Sequence, residues 1–323
     1  MSFPIRRLPF LPIAEIMKHM DLIESIIFST ICPTASTLLT KKYRISLSIQ
    51  LVEDSITMYL RSPNGTTLSC HTVNVKELEY NRMPVHSVKF HGKSVNTVFE
   101  HSLKCGSMTT FWSNPVDGVE VLINHFLNMF PQLIVSVDCA SKTHLSTVIK
   151  LLEARKPNLE KVQIESNPID NELYKQILDV CGSATHLHLL VETLNDSTQL
   201  NLERPLSTRH LHISYGSWVT VESLDMLLGC SKLTIHRTAL TSQNLKNFLK
   251  KWKEQSNLKC VYIASTEINA EEVIDGIDAI PAGSAKKRGR MMTYGYSIQQ
   301  MNGTKADIVL SNNGFLELKV QEV

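Results

Sequence analysis

Apolar residues recur at helical spacing at the start of the chain. Ile13, Ile16, Met17 and Met20 fall at i, i+3, i+4 and i+7 and predict one short amphipathic helix. Asp21 with Glu24 three residues on has the pattern of a capping box, and Leu22, Ile23, Ile26 and Ile27 then give a second helix a wide apolar face. Cys32-Pro33 stops it, and Thr34 to Tyr43 reads as a third helix with Leu38 and Leu39 inward. From Ile45 to about Trp112 the period changes to two. Ile45, Leu47, Ile49 and Leu51 alternate with polar residues, and Pro63-Asn64-Gly65 separates two further strand-like runs. Gly92-Lys93-Ser94 lacks the first glycine of a phosphate loop, Ser87 standing in its place, and reads as an ordinary turn.

The second half repeats a short apolar strand. The segments ending at Val137, Ile164, Leu189, Ile213, Ile235 and Ile263 are spaced 22 to 28 residues apart, near the period of leucine-rich-type repeats. Helical segments fill most of the gaps, for example Leu145, Val148, Ile149 and Leu152, or Leu245, Phe248, Leu249 and Trp252. Strand and helix at this spacing predict parallel strands backed by helices. Tyr294–Gln300, Asp307–Leu310 and Phe315–Val320, separated by Asn-Gly turns, predict an antiparallel C-terminal cap. The expected fold class is α/β: a three-helix segment over 1–45, a β-rich linking region over 46–130, and a leucine-rich-repeat-like α/β solenoid over 131–323 closed by antiparallel strands.

Composition narrows the class. With 43% apolar and 20% charged residues in 323, the chain can bury a sizeable core and is not of disordered or fibrous type. A net charge of +2 supplies no global field for nucleic acid or an anionic membrane, and charges interrupt every apolar stretch before about 20 residues, the length a helical span needs. The seven cysteines are odd in number and include no C-x-x-C, so they read as small buried apolar residues of a protein in a reducing compartment, cytoplasm or nucleus. The run Lys286-Lys287-Arg288-Gly289-Arg290 has the composition of a nuclear-import or nucleic-acid patch, but no aromatic residue interleaves it, which favours a solvated loop.

Candidate chemistry is confined to histidines. If Leu187, Leu189, Leu211 and Ile213 face the core, His186, His188, His210 and His212 all face outward on adjacent strands about 4.8 Å apart. Four histidines are a zinc ligand set by type. A metal-free binding face is the plainer reading, because zinc needs fixed geometry and supporting partners. Lys161, Gln163, Lys232 and Tyr262 continue that face as candidate target-binding residues. No nucleophile–base pair, carboxylate pair or phosphate loop is found, so no enzyme activity and no cofactor is expected.

Two stretches resemble known families. Phe3 to Pro9, with its Leu8-Pro9 pair, followed by Ile13, Ile16, Met17, Met20 and Asp21-Leu22, resembles an F-box. Trp218-Val219-Thr220, Leu224, Leu240 to Leu245, Asn247 to Trp252 and Leu258 are similar to the type-2 F-box-associated domain of the large nematode F-box family. The resemblance implies a substrate-recognition subunit of a cullin ubiquitin ligase that binds a Skp-type adaptor, and through it the cullin, with Leu8, Pro9, Ile13, Ile16, Met20, Leu22 and Ile26. Its C-terminal half would hold a target protein. The alternative is an interaction scaffold of the same architecture that joins no ligase, its first helices only capping the fold.

Overall fold

The structure, a computed structural model, describes residues 10–32, 35, 38–39, 44–52, 55–102, 105–130, 132–166, 168–194, 200, 202, 204–254, 256–266, 268–282, 286–288, 291–311 and 313–321. The chain divides into two compact units, Met1–Glu160 and Lys161–Val323. The expected boundaries at 45/46 and 130/131 are not where this division falls.

The first unit opens with helices α1 (Phe10–His19) and α2 (Leu22–Ile31). The capping box is present: the Glu24 amide donates to Asp21 Oδ1 at 2.8 Å and the Asp21 amide to Glu24 Oε2 at 3.0 Å. Of the expected third helix, Ala35, Leu38 and Leu39 have helical backbone, and the rest lies mainly outside the described residues. Seven strands follow: β1 (Ser46–Val52), β2 (Ser55–Arg61), β3 (Thr67–Asn74), β4 (His86–Phe90), β5 (Lys93–His101), β6 (Cys105–Trp112) and β7 (Ile134–Cys139). They pair in the order β7-β1-β2-β3-β6-β5-β4, parallel at β7–β1 and β3–β6 and antiparallel elsewhere. Alternation sets the faces: Leu47, Ile49, Leu51, Met58, Leu60, Leu68 and Cys70 are all fully buried. His91 and Gly92 both take positive φ, 47° and 84°, at the β4–β5 turn, so the sequence Gly92-Lys93-Ser94 is hairpin and strand rather than a phosphate loop.

Two further helices complete the unit, α3 (Pro115–Met129) and α4 (Lys142–Arg155). Helix α3 has no counterpart in the expectation of a β-rich region running to 130. Its signals are local: Asn114 caps the Val116 amide at 3.2 Å, Pro115 opens the helix, and Val119, Leu122, Ile123 and Phe126 are buried on one face. At Gly118 it comes so close to Trp112 that an added Cβ would lie 2.6 Å from the indole ring. Helix α2 seats on the same sheet, and a Cβ at Gly106 of β6 would meet Ile23 Cδ1 at 2.7 Å.

The second unit holds β8 (Asn158–Ile164) from Lys161 on, then β9 (His186–Leu189), β10 (His210–Ile213), β11 (Lys232–Thr238) and β12 (Cys260–Ser265), each parallel to the next. Helices α5 (Asn171–Cys181), α6 (Val221–Leu227) and α7 (Ser242–Glu254) stand between successive strands, and α8 (Ala270–Ile274) follows β12. Short strands β13 (Ile280–Pro281) and β14 (Lys286–Arg288) both pair with β15 (Met291–Gln299). Strand β15 pairs with β16 (Lys305–Ser311), β16 with β17 (Phe315–Val320), and β17 with β12, all antiparallel. Leu245, Phe248, Leu249 and Trp252 of α7 are buried, and the Trp252 indole donates to the Leu258 carbonyl at 3.0 Å. Gln300, also buried, donates to the Trp252 carbonyl at 3.0 Å and ties α7 to the end of β15.

The expected architecture is therefore corrected. The chain is mostly β, with seventeen strands and few helices among the described residues, not an N-terminal three-helix segment followed by an α/β solenoid. A solenoid needs a backing element in each repeat. Between β9 and β10 no helix occurs among the described residues, and α8 has only 5 residues. Strand β12 takes as its next neighbour the antiparallel β17 from the far end of the chain, so its open edge is covered by pairing and not by a further repeat. The basic run also differs from the expected loop: Lys286–Arg288 forms the edge strand β14, while Gly289 and Arg290 lie outside the described residues.

Candidate binding face

Strands β9 and β10 read HLHL and HLHI, and the chain places them side by side without a register slip. His186 stands across from His210, Leu187 from Leu211, His188 from His212 and Leu189 from Ile213. The period-two alternation sends the aliphatic residues into the core, where all four are at most 1% exposed. The four imidazoles are left half-buried on the other face. Leu211 also stands in register with Leu233 of β11, so three leucines from three strands form one inward row.

The outward rings form a ladder longer than the sequence predicts. His188 and His212 have centroids 5.7 Å apart, His212 and His236 5.4 Å, His236 and Tyr262 5.1 Å, and Tyr262 and Phe315 5.8 Å. Five rings thus cross β9, β10, β11, β12 and β17. His186 packs edge-on against His210 at 4.5 Å at one end. Register explains the row. Thr234, not His236, stands directly across from both His212 and Tyr262, so His236 bridges diagonally, a separation that long aromatic side chains can span. Phe315 relates to Tyr262 in the same way, since Glu317 is the residue directly opposite. Beyond the row, a register shift between Ile235 and Thr238 leaves Arg237 at a φ of 53°, where its guanidinium lies 4.5 Å from the centre of the Tyr215 ring.

Sequence reasoning missed His236 and Phe315. Both were within reach of the alternation rule: His236 continues the outward phase of Lys232 and Thr234, and Phe315 shares the phase of Glu317. Of the predicted face residues, Lys161 and Lys232 are exposed, and Gln163 and Tyr262 are half-buried beside the rings.

The ladder is electrostatically one-sided. Burial lowers the pKa of His188, His210 and His212 below the ordinary histidine value, and neighbouring basic groups lower each further. For His188 these are His212, Lys161, His186 and His210; for His210, they are His186, Arg209 and Lys232; for His212, they are His236 and Lys232. At neutral pH these three imidazoles are uncharged, each offering one donor and one acceptor. His212 Nε2 is 3.1 Å from the Ser214 hydroxyl. Among the described residues, no three His, Cys, Asp or Glu side chains converge where an ion could sit. The histidines stand in rows and not around a point.

The residues the F-box resemblance assigns to an adaptor are distributed differently. Ile13, Leu22 and Ile26 are at most 1% exposed, in the core of the chain itself. Ile16 and Met20 are half-buried, and Leu8 and Pro9 lie outside the described residues. All seven cysteines are free thiols; Cys32, Cys70, Cys139, Cys181 and Cys230 are buried, and burial raises the Cys139 thiol to about 11 and those of Cys181 and Cys230 to about 12. No helix among the described residues is long and apolar enough to cross a membrane.

Residues 198–264 match the family model described as F-box associated. The match runs from ahead of β10 into β12 and so contains His212, His236 and Tyr262 of the ladder, and His210 beside it. The chain is also similar to the Skn-1 dependent zygotic transcript 15 protein of Caenorhabditis elegans, at 22% identity over 98% of this chain and 96% of the relative. No solved structure matches it. The chain is thus similar to F-box associated domains over residues 198–264 and to one nematode protein over nearly its whole length.

Proposed function

We propose that the chain is the substrate-recognition subunit of a Skp–cullin–F-box ubiquitin ligase, with the aromatic ladder of the second unit as its target-protein face. The observation that carries this reading is that the F-box associated match contains three of the five rings of the ladder, His212, His236 and Tyr262. The chain performs no chemistry itself and needs no cofactor. It raises the concentration of its target near the ligase, in the cytoplasm or nucleus. The N-terminal segment docks the adaptor through Leu8, Pro9, Ile16 and Met20, while Ile13, Leu22 and Ile26 hold α1 and α2 on their own unit. That last placement also favours a second reading, a scaffold whose first helices only cap the fold.

Affinity purification from the native cell separates the two. The expected result is recovery of adaptor and cullin with the wild-type chain and loss of both with the triple variant Leu8→Ala, Pro9→Ala, Ile16→Ala, since few apolar anchors carry most of a small interface. Ile26→Ala should behave differently, lowering stability by about 2–5 kcal/mol because it empties a core site. A folded triple variant that still recovers the adaptor would refute the ligase reading. On the other face, His188→Ala with His212→Ala should abolish target capture and leave adaptor recovery unchanged. Target capture unaffected by that pair, but lost on changing the strands from Tyr294 onward, would move the target site to the antiparallel region.

A further inference from the structure

We propose that the histidine ladder receives an extended, acidic segment of a protein partner, and that the imidazoles take up protons as its carboxylates bind. The inference rests on reading the ladder as the target face and adds the chemistry of what lies on it.

The first argument is charge. Lys161 projects at the β8 end, Arg209 stands at the foot of β10, and Lys232 occupies the outward row of β11. Two carboxylates share the outward phase of the flanking strands, Glu165 just past β8 and Glu317 in β17, with Lys319 also in β17. Neither is among the groups that act on His188, His210 or His212, and every charged group that does is a cation or another histidine. Cys260 and Tyr262, both half-buried, are further titratable groups on that face, and the exposed Asp307 of β16 stands across from Lys319. Among the described residues the row therefore has cationic character, and no acidic group acts on its three shifted histidines. A carboxylate arriving from outside supplies that partner.

The second argument is shape. The five rings cross four strand-to-strand intervals, roughly 20 Å, which about six residues of extended peptide span. Alternate side chains of such a peptide face the sheet. Successive histidine rings are tilted against one another, by 45° for His188–His212 and 41° for His212–His236, so they make no flat platform for stacked bases. The fixed cations beside the histidines are few, which favours carboxylates paired with protonatable rings over a phosphate backbone.

The linkage has a definite sign. In the free protein the crowded imidazoles are neutral at pH 7, their pKa values held below the ordinary value. A bound carboxylate favours the charged form and raises those values. Binding then takes up protons, and affinity rises as pH falls toward and below about 6.5, tenfold per pH unit for each full proton taken up.

Fluorescence anisotropy on the full chain tests this with three labelled probes: a capped ten-residue peptide alternating Glu and Thr, the same peptide with Gln for Glu, and a ten-nucleotide oligothymidylate. The Glu peptide should bind at least tenfold more tightly than the Gln peptide at pH 6, and at least threefold more weakly for each pH unit above it. His188→Ala with His212→Ala should remove this binding. His188→Lys with His212→Lys should retain it with a flatter pH profile, because the charge is then permanent. Equal binding of the two peptides, a flat wild-type profile, no peptide binding, or tighter binding of the oligonucleotide would each overturn the inference. Those outcomes leave the ligase reading standing as long as adaptor recovery and histidine-dependent target capture persist, so the two fail separately.

Discussion

Replacing Leu211 by Asp unfolds the second unit at neutral pH. Leu211 is 1% exposed in the centre of the parallel strands, in register with Leu187 and Leu233, both fully buried. A carboxylate there has no cation or donor facing it from the inward row, and an uncompensated buried charge costs several kcal/mol, a large share of the 5–15 kcal/mol by which domains are stable. The adjacent residue supplies the control. His212 faces outward, half-buried, beside Lys232 and two other histidines. His212→Asp places its carboxylate beside Lys232 and two histidines, partly open to solvent, and should change stability by less than about 1 kcal/mol. Urea denaturation followed by circular dichroism reads both. Equal losses for the two variants would show that the alternation of β10, and with it the ladder, is misassigned.

Acid should weaken the first unit through one histidine. His125 of α3 is set edge-on to Phe90 at 5.2 Å and beside Phe126, and its buried Nε2 has no hydrogen-bond partner among the described residues. Burial, with a smaller effect from His91, depresses its pKa to about 4. Between pH 6.5 and about 4 the unfolded chain binds this proton and the folded chain does not. Its contribution is therefore intact above pH 6.5, falls with pH through that window, and is fully lost below about 4. The shift amounts to about 3 kcal/mol. The lowered values of His71, His188, His210 and His212 act in the same direction. His125→Leu removes only the first contribution, so the difference in urea midpoint between wild type and variant should narrow or reverse from pH 7 to pH 4.5. A difference independent of pH would mean that the ring is solvated or partnered.

Local signals were legible wherever a short run of residues carries the whole argument. The Asp21–Glu24 box, the alternation of β1, the inward leucines of β9, β10 and β11, and the turn at Gly303 with its φ of 91° follow from neighbours a few positions apart. The four predicted histidines came together for the same reason: two identical four-residue alternations in adjacent parallel strands can hide their aliphatic rows in one register only. Helix α3 carried signals of equal strength in Asn114, Pro115 and its apolar face, and was lost because it follows a long strand-like stretch.

What an apolar face packs against is a different kind of question. The face of α2 reads equally well as an adaptor surface or as core, and only the folded chain shows Ile23 pressed onto Gly106 and Ile26 buried. Pairing between distant strands is equally silent in the sequence. Nothing local in Ser46–Val52 names Ile134–Cys139 as its parallel neighbour, and nothing in Cys260–Ser265 names Phe315–Val320. Yet the second of these pairings converts an expected solenoid end into a mixed sheet and brings Phe315 onto Tyr262 to finish the ladder. By itself the sequence determined which residues turn inward, because side-chain period is a property of the local backbone. The tertiary structure decided which strands lie side by side and which outward residues become one surface, because those choices are settled by the free energy of packing the whole chain and not by any segment of it.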